Sequence, residues 1–407
     1  RLDFELPPSW IPQGRRALVS VSSSPAIRFL GSLDHLVHYP WGCLEQTVST
    51  AFPLLFFREL GLADGLFAGR REAVDKFIAE ALRKVEAHHL GEGRFSYWDS
   101  GYENPWASLY AAQFLLEAKR LGHRIEPRVF AEVAKALALP QARQGRLDRR
   151  DEPQRSMEEN VFRLYVQAVA GNPDVESLRA MREKKVKELE DGDRALLALA
   201  FQRAGLGVEA TEVLADSFGR RLGERLTGAS FYSPIRSEAQ YLLAVSEIKP
   251  ERARLESAVG RLAGRLTREG RLPSTQDNAW ALLALASVSR TLAEATAAPR
   301  ATLTLDGAVL ANLEGSRSYA TPALAGGKKL TLVNTGGGRL YYQLLVEGTP
   351  VRVEGDTAKG LKLRRRYLSD AGRELAPERI AQGELIAVEL EVECDKEVEN
   401  LVLIALL

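Results

Sequence analysis

Helix signals recurring through the middle of the chain restrict its fold more than any other feature. Asn104-Pro105-Trp106 leads into 107–120, Asn160 opens 161–170, Asp193 opens 194–204, Ser237 opens 238–246 and Asp277 opens 278–288. Each stretch starts with a residue whose side chain can accept from the free amides of a helix start. Most then continue into a stripe of Leu, Ala or an aromatic residue. More polar helices lie between, such as the one carrying Val74, Phe77, Ile78, Ala81, Leu82 and Val85 at helical spacing. Single helical hairpins cannot bury their apolar faces, so repeated hairpins must stack. Alternation of apolar with amphipathic helices predicts the inner and outer rings of an α/α toroid, and open solenoids repeat in a similar way.

Strand signals frame this helical block. Residues 1 to 27 include Pro7-Pro8, Pro12 and the strand-like run Arg16-Ala17-Leu18-Val19-Ser20-Val21. After residue 300, alternation returns in Thr302-Leu303-Thr304-Leu305 before Asp306-Gly307, and in Leu330-Thr331-Leu332-Val333 before Asn334-Thr335-Gly336. The leading strand needs partners for its backbone groups, and the nearest candidates follow residue 300. A β-domain split in sequence, with the helical domain inserted, is the expected solution.

A chain of 407 residues has room for two or three domains. Lys plus Arg (55) nearly cancels Asp plus Glu (54), so no global field favours nucleic acid or anionic lipid. No apolar run reaches the length of a membrane span, and the opening Arg-Leu-Asp-Phe does not read as a signal peptide. Both ends read as cut, so the chain is expected to be a piece of a larger protein. Two cysteines far apart give no disulfide framework. Cys394 ends the alternation Ile386, Val388, Leu390, Val392, which predicts the buried face of a strand. Cys43 calls for another explanation.

The segment His38-Tyr39-Pro40-Trp41-Gly42-Cys43-Leu44-Glu45-Gln46-Thr47 is the most informative in the chain. Gly42 permits a tight turn and close backbone approach. At a helical start, Cys43 and Gln46 fall on one face. A Cys43 thiolate attacking the Gln46 carboxamide expels ammonia and closes an internal thioester. A helix N-terminus is expected to lower the thiol pKa and to stabilise the developing oxyanion. The product is a stored acyl electrophile, open to attack by an amine or a hydroxyl, and it survives only where water is kept away. Aromatics lie close in sequence: Tyr39, Trp41, Phe52, Phe56 and Phe57, then Phe95, Tyr97, Trp98, Tyr102 and Trp106. Tyr39 is the favoured shield, with Trp41, Trp98 and Trp106 as further candidates, and the rest read as ordinary core.

The string Tyr-Pro-Trp-Gly-Cys-Leu-Glu-Gln-Thr at 39–47 resembles the thioester motif of bacterial alpha-2-macroglobulins, related to the Gly-Cys-Gly-Glu-Gln of the vertebrate macroglobulin and complement family. Leu44 stands where that vertebrate motif has glycine. Further resemblance is carried by Phe95-Ser96-Tyr97-Trp98 with Asn104-Pro105-Trp106, by 274–283, and by Asn334-Thr335-Gly336 through Tyr341-Tyr342.

The resemblance implies a mainly α fold with β. An α/α-toroid thioester domain (28–296) is inserted in a CUB-like β-domain (1–27 and 297–350), followed by an incomplete macroglobulin-like β-sandwich (351–407). It implies a C-terminal fragment of a protease inhibitor, not an enzyme, with no catalytic residues, metal or cofactor. Cys43 and Gln46 form the thioester, supported by Gly42, Leu44 and Glu45. The partner is an attacking protease, captured through a lysine amine after it cuts a bait segment elsewhere in the full chain. Some family members carry a histidine about a hundred residues past the thioester that speeds transfer to hydroxyls. None occurs here between 140 and 160, which favours direct aminolysis. The family also implies a bacterial periplasmic location, with no membrane contact from this segment and a lipid anchor open for the full-length protein.

Three rivals stand beside this reading. His35, His38 and Cys43 could be zinc ligands, with no evident fourth. Cys43 with His35 or His38 could form a cysteine-nucleophile hydrolase on an α/α toroid, which leaves Gln46 unexplained. A structural or interaction module without a thioester is the third. His88, His89 and His123 sit in polar contexts and are expected to be solvated, as are Arg364-Arg365-Arg366 and Glu183-Lys184-Lys185.

Overall fold

The structure is a computed structural model that describes residues 1–38, 42–60, 71–139, 157–214, 218–219, 231–292, 298–324, 327–352, 360–395, 401 and 403. Two compact units are distinguished. The first holds all the described α-helices and the strands up to residue 347.

At the chain start, β1 (Leu2–Glu5) and β2 (Arg16–Ser22) are too short to stand alone. They find partners far along the sequence, among β5 (Arg300–Leu305), β6 (Ala308–Glu314), β7 (Arg317–Ala320), β8 (Lys329–Asn334) and β9 (Tyr341–Glu347). One sheet has the order β1-β8-β5-β6 and the other β7-β2-β9. The pairing is antiparallel, with Phe4 opposite Leu330 and Val19 opposite Leu344. Alternate residues face inward and share one core of Ala17, Val19, Val21, Leu303, Leu330 and Leu332.

The helices between are α1 (Leu30–His38), α2 (Leu44–Ala51), α3 (Arg71–Ala87), α4 (Pro105–Arg120), α5 (Pro127–Leu137), α6 (Met157–Val169), α7 (Val175–Lys185), α8 (Asp191–Arg203), α9 (Gly207–Val213), α10 (Pro234–Ile248), α11 (Arg252–Ala263) and α12 (Thr275–Leu292). Their packing follows a cyclic succession. Helix α2 packs on α4, α4 on α6, α6 on α8, α8 on α10, α10 on α12, and α12 back on α2. Helices α3, α9 and α11 lean against α2, α8 and α10 respectively.

Helix α4 begins where its sequence predicts. Asn104 Oδ1 accepts from the Ala107 amide at 2.9 Å, and Pro105 fills the first helical position. The other expected caps are displaced, because their helices start earlier. Ser233 caps α10 by accepting from the Ile235 and Arg236 amides, which places Ser237 inside the first turn and buried. Asn160, Asp193 and Asp277 likewise lie within α6, α8 and α12. Asp193 and Asp277 are buried, and Asp277 accepts from the Ser233 hydroxyl at 2.6 Å instead of capping its own helix.

Buried polar side chains therefore gather in the first turns of these helices: Glu45, Glu158, Asp191, Arg236 and Gln276. Glu158 and Arg236 form a buried ion pair between α6 and α10. A buried charge needs such a partner to offset its desolvation.

Two histidines differ from expectation. A hairpin of β3 (His89–Gly91) and β4 (Arg94–Phe95) follows α3. Its packing takes His88 to 6% exposure, with Nδ1 3.1 Å from the Ser96 hydroxyl and Nε2 3.3 Å from Asp99. The His89 ring packs on Phe95 and lies 3.4 Å from Glu132, so neither ring is solvated.

The second unit is a sheet of order β11-β10-β12, built from β10 (Leu361–Ser369), β11 (Glu374–Leu375) and β12 (Ile386–Cys394). One face is a ladder of opposite charges, pairing Lys362 with Glu393, Arg364 with Glu391 and Arg366 with Glu389. Ile386 through Cys394 alternate as expected, but Cys394 is exposed and not buried. It lies opposite Leu361 at the end of the β10–β12 ladder, where among the described residues of this unit no second layer covers it.

Candidate functional site

Cys43 is the N-cap of α2, in extended conformation and 1% exposed. A reciprocal capping box closes this helix start. The Cys43 sulfur accepts from the Gln46 backbone N–H, and the Gln46 side chain returns to the backbone before the helix. Gln46 Oε1 accepts from the Gly42 amide at 3.1 Å and from the Cys43 amide at 3.3 Å. The carboxamide carbonyl is thus polarised by two backbone donors, as in an oxyanion hole. The Cys43 carbonyl in turn accepts from the Thr47 amide and hydroxyl at 3.0 and 3.1 Å.

Gly42 sits where the backbone is closely approached. A Cβ there would stand 3.1 Å from Gln46 Oε1 and 3.4 Å from the Trp98 ring.

The second wall is a turn in which the sequence marked Trp98 as a shield and left Tyr97 in the core. Residues 95–104 fold back on themselves, with the Asn104 amide donating to the Phe95 carbonyl and the Tyr97 amide to the Tyr102 carbonyl. The Gly101 amide closes the turn onto Trp98 O at 2.9 Å, with Ser100 in the left-handed region at φ 58°. This turn is fixed to α2, because the Leu44 amide donates to Tyr97 O at 2.9 Å. From it the Tyr97 hydroxyl donates to the Cys43 sulfur. Burial pushes the Tyr97 hydroxyl far above the usual phenol range, and its bond to Cys43 pushes the same way.

The Cys43 thiol is raised above its ordinary value and not lowered by the helix start. Burial outweighs the donors from Tyr97 and from the Gln46 and Glu45 amides, and the Glu45 carboxylate adds to the rise.

Beneath Cys43, Glu45 is buried among neutral donors. Its Oε1 accepts from Ser49 Oγ at 2.6 Å, Gln276 Nε2 at 2.8 Å and Thr275 Oγ1 at 3.0 Å. The network extends from Ser49 to the Tyr110 hydroxyl at 3.2 Å, and from Gln276 Oε1 to Trp280 Nε1 at 3.2 Å. Full burial raises the Tyr110 hydroxyl strongly, the nearby Glu45 adding to it. Leu44 is fully buried on the same turn.

The candidate shields are placed differently. Trp98 borders Gly42, packs edge-on to Tyr97 at 5.6 Å and is 55% exposed. Trp106 lies in the helical core, stacked on Phe162 at 5.5 Å and beside Tyr110, with the Arg236 guanidinium over its ring. Tyr39 and Trp41, and the side chain of His38, lie outside the described residues. His35 is partly buried, and burial lowers its pKa. Among the described residues no group of His, Cys, Asp and Glu is arranged to hold a metal ion, and no helix is long and apolar enough to cross a membrane.

Tyr97, Ser49, Tyr110, Thr275 and Gln276 were not singled out from sequence as site residues. All but Ser49 come from elements far from Cys43, and the signal for them was confined to the Phe-Ser-Tyr-Trp run at 95–98 and the run at 274–283.

No family model matches the chain. Among curated proteins it is 22% identical over 408 aligned residues to an alpha-2-macroglobulin of Rickettsia conorii, covering 97% of the chain and 21% of that protein. Its fold matches that of Salmonella alpha-2-macroglobulin reacted with methylamine, with TM-score 0.70, 21% identity and coverage of 97% of the chain and 26% of the other. Escherichia coli alpha-2-macroglobulin activated by porcine elastase matches with TM-score 0.50 and 18% identity, over 97% of the chain and 36% of the other. The chain thus spans about a fifth of the curated relative and about a quarter of the Salmonella structure. Over nearly its whole length, the chain is similar in sequence and in fold to bacterial alpha-2-macroglobulins.

Proposed function

We propose that Cys43 and Gln46 close an internal thioester, and that the chain is the thioester-bearing part of a protease inhibitor. The observation carrying this reading is the reciprocal capping box. The sulfur sits on the Gln46 amide while the Gln46 carbonyl oxygen is held by the Gly42 and Cys43 amides. When the sulfur attacks that carbonyl carbon, the oxygen gains charge where two donors already point, and ammonia leaves from Nε2. The thioester then transfers its acyl group to a lysine amine of an attacking protease, once bait cleavage elsewhere in the full-length protein uncovers it. Trp98, Tyr39 and Trp41 serve as its shield, and Glu45 fixes the helix that carries it.

The cyclic helix packing supports an α/α toroid over 28–296. The pairing of β1 and β2 with strands after 300 supports a CUB-like domain formed by 1–27 and 297–350, and 351–407 is assigned to a macroglobulin-like sandwich. The similarity to bacterial alpha-2-macroglobulins supports a periplasmic location, with any lipid anchor carried by the full-length protein.

The test is an intact mass with thiol counting, before and after methylamine. A mass one ammonia below the sequence value, with one free thiol rising to two as methylamine adds, is the expected result. A mass equal to the sequence value, with two thiols and no uptake, overturns the reading and favours a thioester-free module.

A further inference from the structure

We infer that the Tyr97 hydroxyl is a catalytic hydrogen-bond donor to the departing Cys43 sulfur in acyl transfer from Gln46. This inference rests on the thioester reading and assigns a role within the same site.

The geometry isolates the hydroxyl as the group with that task. The sulfur is buried at 1% exposure, so a leaving thiolate cannot rely on bulk water. Its other donors, the Gln46 and Glu45 amides, belong to its own helix start, whereas Tyr97 reaches it from a separate element. That element is rigid at the point that matters: the Leu44 amide holds Tyr97 O, the Tyr102 carbonyl holds Tyr97 N, and the neighbouring Ser96 amide is held by His88 O at 2.9 Å. Ser96 Oγ and Asp99 then flank the buried His88 ring. The donor is preorganised before charge develops, which is the condition for electrostatic stabilisation of a transition state.

In the step itself, the amine nitrogen forms a bond to the Gln46 acyl carbon and the C–S bond breaks, its electron pair passing to sulfur. The Tyr97 O–H stabilises that charge. The amine releases one proton to solvent and the sulfur later takes one up, so the products are an amide and a thiol.

Tyr97→Phe separates the hydroxyl from the ring, which still packs against Trp98. The variant is expected to form the thioester, read as the ammonia deficit, and to take up methylamine about 10- to 100-fold more slowly, the range for losing one hydrogen bond to a charged group. A variant with the deficit that reacts at the native rate, or faster, overturns the inference and leaves Tyr97 as a shield. A second readout does not need the thioester. In free-thiol protein, iodoacetamide alkylation of Cys43 against pH is expected to shift to higher pH in Tyr97→Phe, because the thiolate loses a donor. An unchanged profile overturns the inference as well. Absence of the ammonia deficit in the native protein defeats the thioester reading alone, and the alkylation profile then decides whether Tyr97 stabilises the thiolate.

Discussion

Glu45 accepts a hydrogen bond from Gln276 at 2.8 Å across 231 positions of sequence, joining the first turn of α2 to the first turn of α12. These two turns are where the cyclic helix succession closes. The same carboxylate takes Ser49 and Thr275 hydroxyls, so it is surrounded by donors. Glu45→Gln keeps the shape but replaces one accepting oxygen by an NH2, a donor facing donors. It is expected to cost on the order of 1–3 kcal/mol, and Ser49→Ala about 1 kcal/mol. Denaturant midpoints check this, and equal stability of Glu45→Gln and native protein would sink it.

Gly42→Ala puts a methyl group against the Gln46 carbonyl oxygen and the Trp98 ring. Displacing Oε1 loses at least one bond from the Gly42 or Cys43 amide, about 1 kcal/mol of alignment. The fraction of protein showing the ammonia deficit is expected to fall several-fold while the melting temperature hardly moves. An undiminished fraction would show that the glycine is not needed.

The Glu158–Arg236 pair is buried on both sides. Glu158→Gln leaves the guanidinium facing a neutral partner, at an expected cost of about 3–5 kcal/mol. Replacing both by apolar residues of similar size should recover most of it. A double-mutant cycle in urea measures the coupling, and simple additivity of the two losses would refute it.

In the free-thiol form, burial raises the Cys43 thiol above its ordinary value. The folded state therefore binds this proton more tightly than the unfolded chain. The associated stability is fully present below the unfolded thiol's pKa and is lost as pH rises through the folded one. Stability of the free-thiol protein should decline on the alkaline side. Alkylation should separate fast Cys394, which is exposed, from slow Cys43. Equal rates for both thiols at pH 8 would contradict the burial argument.

What the sequence disclosed followed how local each signal is. Asn104-Pro105 marked α4 correctly because cap and helix are neighbours. Gly42, Cys43 and Gln46 meet within one turn, so spacing alone placed them together. The starts of α8, α10 and α12 were misplaced because Asp193, Ser237 and Asp277 resemble caps in composition while serving as buried partners. Tyr97 and Gln276 reach the site through a turn and a helix distant in sequence, which no local pattern encodes. The rise in the Cys43 pKa was missed for a related reason: the helix start is visible in the sequence, but the burial that outweighs it is tertiary.

The pairing of β2 with β7 and β9 also sets an order of assembly. When β2 emerges during synthesis its partners, at 317–320 and 341–347, have not yet been made. At roughly 5–20 residues per second, the nascent strand waits on the order of tens of seconds. Throughout that interval its edges are open and Val19 and Val21 are unburied, a condition that invites pairing with other chains. The helical body must therefore fold while tethered to an unfinished β-layer. Keeping residues 16–22 sequestered until the strands after 300 are made becomes as much a requirement for this β-layer as the stability of its finished core.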